Sequence, residues 1–110
     1  MKPERYMSPS PIQGKVKYVF SASLWKHDDP GGWYFLSVPN ALAREIREHL
    51  QWQEEGWGRL KASAQIGDTR WDTAIWFDTK RQTYLLPVKA SIRKITGVVA
   101  DQTVPVVLWV

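Results

Sequence analysis

One phrase occurs twice in this chain. Tyr34 to Ile46 reads YFLSVPNALAREI and Thr83 to Ile95 reads TYLLPVKASIRKI, in both cases an apolar strand, a proline and an amphipathic helix. A unit of that size cannot bury its apolar face alone, so two copies must close on each other. Each copy also has a strand pattern before it and another after it. The chain therefore reads as strand, strand, helix, strand, and then the same again. Two such halves predict a mainly β fold with two short helices. Closing them into a six-stranded barrel removes exposed strand edges, which favours a barrel over an open sandwich.

The first half opens after a segment from Met1 to Gly14 that carries Pro3, Pro9 and Pro11 without apolar periodicity, and reads as a mobile leader. The single folded domain then runs from Lys15 to Val110. Val16, Tyr18, Phe20, Ala22 and Leu24 alternate with Lys15, Lys17, Ser21 and Ser23, the pattern of a strand with one face in a core. His27-Asp28-Asp29-Pro30-Gly31-Gly32 is a turn by composition, and Trp33 to Val38 returns as the second strand. A helix follows from Pro39 to about Gln53, with Asn40 as its cap and Leu42, Ile46 and Leu50 facing inward. Gly56 suits a left-handed stop after it.

Leu60, Ala62, Ala64 and Ile66 give a third strand whose small inward side chains suit a tight barrel. Gly67-Asp68 turns the chain into a fourth strand, Arg70 to Phe77, whose inward face is ambiguous between Trp71, Ile75 and Trp76. Asp78 to Gln82 is a polar hairpin tip, and Tyr84 to Leu86 forms the fifth strand. Pro87 opens the second helix, with Val88, Ile92 and Ile95 inward and Gly97 as its stop. Thr103 to Val110 is the last strand; Pro105 cannot donate a ladder hydrogen bond and belongs at an edge or bulge.

An apolar fraction of 44% with seven tryptophans places the 110 residues among globular chains, with one modest core. Without cysteine the chain has no disulfide, thiolate metal site or thiol chemistry. No apolar run approaches the roughly 20 residues of a membrane span, so a cytoplasmic protein with no membrane partner is expected. The net charge of +4 is mild and decides nothing by itself.

Several words of the sequence resemble a known bacterial family, the domain of unknown function 1905. They are Gly56-Trp57-Gly58, Ile66-Gly67, Trp71-Asp72-Thr73, Tyr84-Leu85-Leu86-Pro87-Val88-Lys89 and Ile92-Arg93-Lys94, with the Gly-Gly-Trp turn and Val38-Pro39 in the first half. The resemblance runs from Lys15 to Val110. It implies a double-split β-barrel akin to the cradle-loop barrels, which include swapped-hairpin transcription regulators and antitoxins, and it implies no assigned activity. The family usually carries Gly-Asp before its last strand, where this chain has Ala100-Asp101. If position 100 needs a positive φ, alanine costs about 1 kcal/mol there.

Catalysis finds little support in the residues. The serines sit in strands or helix without a nucleophile elbow, two histidines are a thin supply of bases, and no phosphate-cradling glycine loop follows a strand. His27-Asp28-Asp29 offers hard ligands but no second cluster to complete a shell, so neither metal nor cofactor is expected. The tryptophans are the unusual feature, and core packing is the ordinary use for them. The sharper expectation sets Trp33, Trp71 and Trp76 around a barrel mouth with Lys89 and Arg93 beside them, walls and cations for a planar or anionic ligand. Arg93 would otherwise lock the second helix through Asp72 or Asp101. The function expected is a non-enzymatic module for a small ligand or protein partner, monomeric or homodimeric. The alternative is a nucleic-acid-binding regulator or antitoxin-like dimer using Lys80, Arg81 and Lys94 on phosphates.

Overall fold

The computed structural model describes Gly14 and residues 16–110; the rest of the leader, residues 1–13, and Lys15, the first residue of the domain, lie outside the described residues. Six strands and two helices follow in the order β1 (Lys17–Lys26), β2 (Tyr34–Ser37), α1 (Asn40–Leu50), β3 (Arg59–Ile66), β4 (Thr69–Asp78), β5 (Thr83–Pro87), α2 (Ala90–Thr96) and β6 (Thr103–Trp109). The strands form a closed barrel, β1-β2-β5-β4-β3-β6, with every pair antiparallel. Exchanging β1 with β4, β2 with β5 and β3 with β6 returns the same circuit. The two halves meet along β2 and β5, where Leu36 pairs with Leu86, and again along β3 and β6, where Ala64 pairs with Leu108.

The repeated phrase sits at the first of these seams. Val38 N–H donates to the Tyr84 carbonyl at 3.0 Å, and Val88 N–H donates to the Tyr34 carbonyl at 2.9 Å. Each hydrogen bond carries the chain out of one strand, across the end of the other, and into a helix. α1 and α2 consequently follow opposite ends of the β2–β5 pair.

Inside, the alternation of the strands converges. Tyr18, Phe20 and Leu24 of β1 meet Leu36, Leu60, Ala62, Ala64, Ile75, Leu86, Val106 and Leu108, all buried. Each fully buried Leu or Ile contributes roughly 1.5–3 kcal/mol relative to exposure. Val16 stands at 41% exposure rather than in the core; its backbone instead exchanges hydrogen bonds with Val110. β4 turns Trp71 and Ile75 inward and leaves Trp76 outside, which settles its ambiguous face. At Pro105, β6 pairs with β1 alone, since its pairing with β3 covers only Val107 to Trp109. The imino acid therefore occupies a one-sided stretch of the ladder.

The helix boundaries depart from the sequence expectations in instructive ways. α1 buries Ala43, Ile46 and Leu50, with Leu42 partly buried, and passes through a 3-10 turn over Gln51–Gln53. Its N-cap is Pro39, and Asn40 does not cap it. The Asn40 amide reaches the opposite half instead, donating at 3.0 Å to the carbonyls of both Arg81 and Gln82. The left-handed residues after α1 are Trp57 and Gly58, not Gly56. Gly58 could hardly be another residue, because a Cβ there would stand 2.9 Å from the Phe77 Cβ. Pro87 closes β5 rather than opening α2, whose N-cap is Lys89. Ile92 is buried, but Ile95 is 68% exposed because α2 is only two turns long and Gly97 ends it in the left-handed conformation. Ala100 keeps an ordinary backbone; the positive φ of that turn falls on Asp101, at 71°.

One polar cluster lies beneath α1. The Tyr84 ring is buried edge-on against Phe77, 5.1 Å between centroids, and its hydroxyl donates to Glu54. Arg47 lies over the Phe77 ring at 3.7 Å and 3.8 Å from the same Glu54 oxygen. Thr83, also buried, donates its hydroxyl to the Val38 carbonyl. Among the described residues no helix is long and apolar enough to cross a membrane.

Candidate functional site

The pleat that sends Leu36 and Val38 inward sends Trp33 and Phe35 outward. Phe35 pairs with Pro87, Ser37 with Leu85, and Leu85 in turn with Trp76, so one outer face of β2, β5 and β4 carries a row of apolar groups. Trp25 extends the row on β1, 5.3 Å from Phe35, with its indole N–H donated to the Ser37 hydroxyl at 2.9 Å. Trp33 and Phe35 lie nearly parallel, 9° apart, with centroids separated by 6.1 Å. The β1–β2 turn folds beside them, closed by a 2.8 Å hydrogen bond from His27 N–H to the Trp33 carbonyl.

These residues enclose a cleft of about 370 Å³. Its walls are Trp33, Phe35, Trp76, Leu85 and Pro87, and its rim is His27 and Asp29. A second cleft of about 200 Å³ shares Trp33 and Pro87 with it and adds Trp71, Asp72, Thr73 and Lys89. The second cleft exists because β4 begins well before its pairing with β5, which covers only Trp76 to Asp78. In that split the inner end of Trp71 packs in the core while its margin reaches the surface.

Trp33, Trp71, Trp76 and Lys89 thus surround two adjoining clefts, centred on the outer wall of the barrel and the split beside it. Arg93 lines neither. Its Nε donates to the Val88 carbonyl at 3.2 Å and its guanidinium covers the Tyr34 ring at 3.8 Å, so its contacts are not with Asp72 or Asp101. Asp72 accepts instead from the Ser63 hydroxyl at 3.1 Å.

Lys80, Arg81 and Lys94 do not gather. Lys80 and Arg81 occupy the β4–β5 hairpin and Lys94 lies on α2, at opposite ends of the five-residue β5, a separation of about 17 Å along a strand. Arg81 is already engaged: Nη1 donates to Asp78 at 2.7 Å, and the guanidinium lies 4.4 Å from the Trp25 ring. Burial raises the Asp78 carboxyl, but hydrogen bonds from the Arg81 side chain and from the Arg81 and Lys80 backbones outweigh it and lower its pKa.

Phe35, Leu85 and Pro87 were not legible as site residues from sequence, and His27 and Asp29 read there only as candidate metal ligands. Phe35 follows Trp33 by two positions and shares its face, which is the one signal that could have found it. Leu85 and Pro87 come to the cleft through the β2–β5 register, a non-local fact. Among the described residues no three His, Cys, Asp or Glu side chains converge as metal ligands.

No curated protein matches the sequence. The family profile described as domain of unknown function (DUF1905) matches residues 20–108, from the inward-facing Phe20 of β1 to Leu108 of β6. With that match spanning the whole barrel circuit, the chain belongs to the domain of unknown function 1905 family.

Proposed function

We propose that the chain is a non-enzymatic binding module whose ligand or partner seats in the aromatic cleft on the outer wall. The observation that carries this reading is the exposure of large rings in one concave place. Trp33 is 53% and Trp76 39% exposed, facing each other across Phe35, Leu85 and Pro87. Isolated exposed apolar side chains need no explanation, but contiguous ones lining a cavity mark interaction sites. The volume falls within the range of small-molecule pockets, and the composition, apolar walls with few polar groups, is theirs too.

A thermal-shift screen of metabolites and short nucleic acids tests the proposal, because anything that binds the native state raises its melting temperature by mass action. Compounds that stabilise the protein are then repeated on a Trp33→Ala/Trp76→Ala variant. The stabilisation is expected to vanish in that variant. A ligand whose effect survives both substitutions overturns the cleft as the binding site; a screen without hits overturns the small-ligand reading and leaves the protein-partner one.

A further inference from the structure

Granted the binding role proposed above, the charge of the cleft narrows what it takes. Three of its walls, Trp33, Phe35 and Trp76, are aromatic, and aromatic faces are negative. The rim adds the Asp29 carboxylate and, among the described residues, no lysine or arginine. Asp29 Oδ1 accepts from Gly31 N–H at 3.1 Å, and Oδ2 lies 3.3 Å from His27 Nδ1. That second contact is an ion pair only for a protonated imidazole. The same nitrogen is in position to accept a hydrogen bond from Asp29 N–H at 3.1 Å. The Asp29 side chain is 47% exposed beside the rings. Arg93, the cation that would have suited an anionic ligand, is spent on Tyr34, Arg81 is held by Asp78, and Arg59, 5.6 Å from the Trp76 ring centroid, is paired with Glu55; Lys89 belongs to the adjoining cleft.

We infer that the cleft takes a small organic cation bearing an alkylated ammonium group. The methyl groups bury against the indole and phenyl faces while the charge is met by the ring quadrupoles and by Asp29. An anion would face the negative ring faces and the Asp29 carboxylate. A neutral ligand of the same shape would gain the burial but nothing from the carboxylate.

Titrating the full chain with choline, tetramethylammonium and 3,3-dimethyl-1-butanol separates these cases, because the alcohol replaces the choline nitrogen with carbon. Binding is read from the indole N–H resonances of Trp33 and Trp76. Choline is expected to bind with a Kd at least about tenfold below that of the alcohol, the preference a desolvated cation–π contact provides. Asp29→Asn, whose Oδ1 can still accept from Gly31, should lower that preference without abolishing it, the rings being unchanged, and leave the alcohol unaffected. Equal affinity for the three probes, or binding of the alcohol alone, overturns the cation selectivity while leaving the binding role standing. Absence of choline and tetramethylammonium binding in a protein that binds some other compound through Trp33 and Trp76 overturns it as well.

Discussion

The Arg93 guanidinium lies 3.8 Å from the ring centroid of Tyr34, on the strand that is the counterpart of the one carrying Tyr84. This pairing closes the α2 end of the barrel: Arg93 also holds the Val88 carbonyl, whose own amide is bonded to Tyr34. Two contacts thus tie the start of α2 to Tyr34 of β2, and the Arg93–Val88 hydrogen bond joins them.

Arg93→Ala should therefore act on stability and not on ligand. The loss of a half-buried cation–π contact and a charged hydrogen bond is expected to cost about 1–2 kcal/mol. Urea unfolding measures that loss. Affinity at the Trp33–Trp76 cleft should stay within about twofold, since a change of RT ln 2 is below half a kcal/mol. A variant that folds as well as the parent but loses ligand would return Arg93 to the site.

The turn before β6 tests a residue pair that the sequence marked and the backbone reassigns. Asp101, not Ala100, has the positive φ, so Ala100→Gly removes no strain and loosens the unfolded chain. It should be neutral or cost up to about 1 kcal/mol. Asp101→Gly places a permissive residue at the left-handed position and should be neutral or stabilising by a few tenths to about 1 kcal/mol. Asp101 N–H donates to the Leu24 carbonyl at 2.7 Å, a bond that glycine retains. Thermal melts of the two single variants should place Asp101→Gly above Ala100→Gly; a stabilising Ala100→Gly or a destabilising Asp101→Gly would reject this account.

Gly58 and Gly67 form a matched pair for separating backbone strain from crowding. Both have positive φ, 77° and 57°, but a Cβ on Gly67 meets open space while one on Gly58 meets Phe77. Gly67→Ala should cost about 1 kcal/mol, the left-handed penalty alone. Gly58→Ala adds overpacking against Phe77 and should cost about 2–4 kcal/mol. Equal losses would mean that β4 yields at Phe77 without resistance.

How far the sequence could be read follows from which interactions are local. Alternation in Tyr18, Phe20 and Leu24, or in Leu60, Ala62 and Ala64, is a property of one strand, and the barrel interior came out of it directly. The repeated phrase gave the pseudo-twofold, but aligning Pro39 with Pro87 misplaced the second helix. In space Val38 answers to Val88 and Tyr34 to Tyr84, because backbone hydrogen bonds set the correspondence and a proline can make none as donor. The grouping of Trp33 with Trp76 was visible as an unusual supply of tryptophan. That they meet on the outer wall depends on the β2–β5–β4 register, and no single segment encodes it. Arg93 misled for a similar reason: its partner Tyr34 lies across the barrel end, reached only when the circuit closes.

Tyr84 supplies a pH dependence whose sign is opposite to that of a paired carboxylate. Burial, then the hydrogen bond to Glu54 and the charge of Glu54, raise its pKa well above the 10.0 of a free phenol. Near pH 10 the unfolded chain gives up this proton and the native chain keeps it. The native state then holds more protons, so stability present in full below that pH falls as pH rises further. Tyr84→Phe should cost about 1–2 kcal/mol at neutral pH, where Glu54 loses its donor, and should flatten the alkaline decline. Tyr18, raised by burial and then by Glu45, leaves a remaining slope in the variant. Urea midpoints collected between about pH 8 and pH 11 compare the two curves, lysine titration being common to both. A variant that stays parallel to the parent across that range would mean that the Tyr84 proton leaves as readily from the folded barrel as from the open chain.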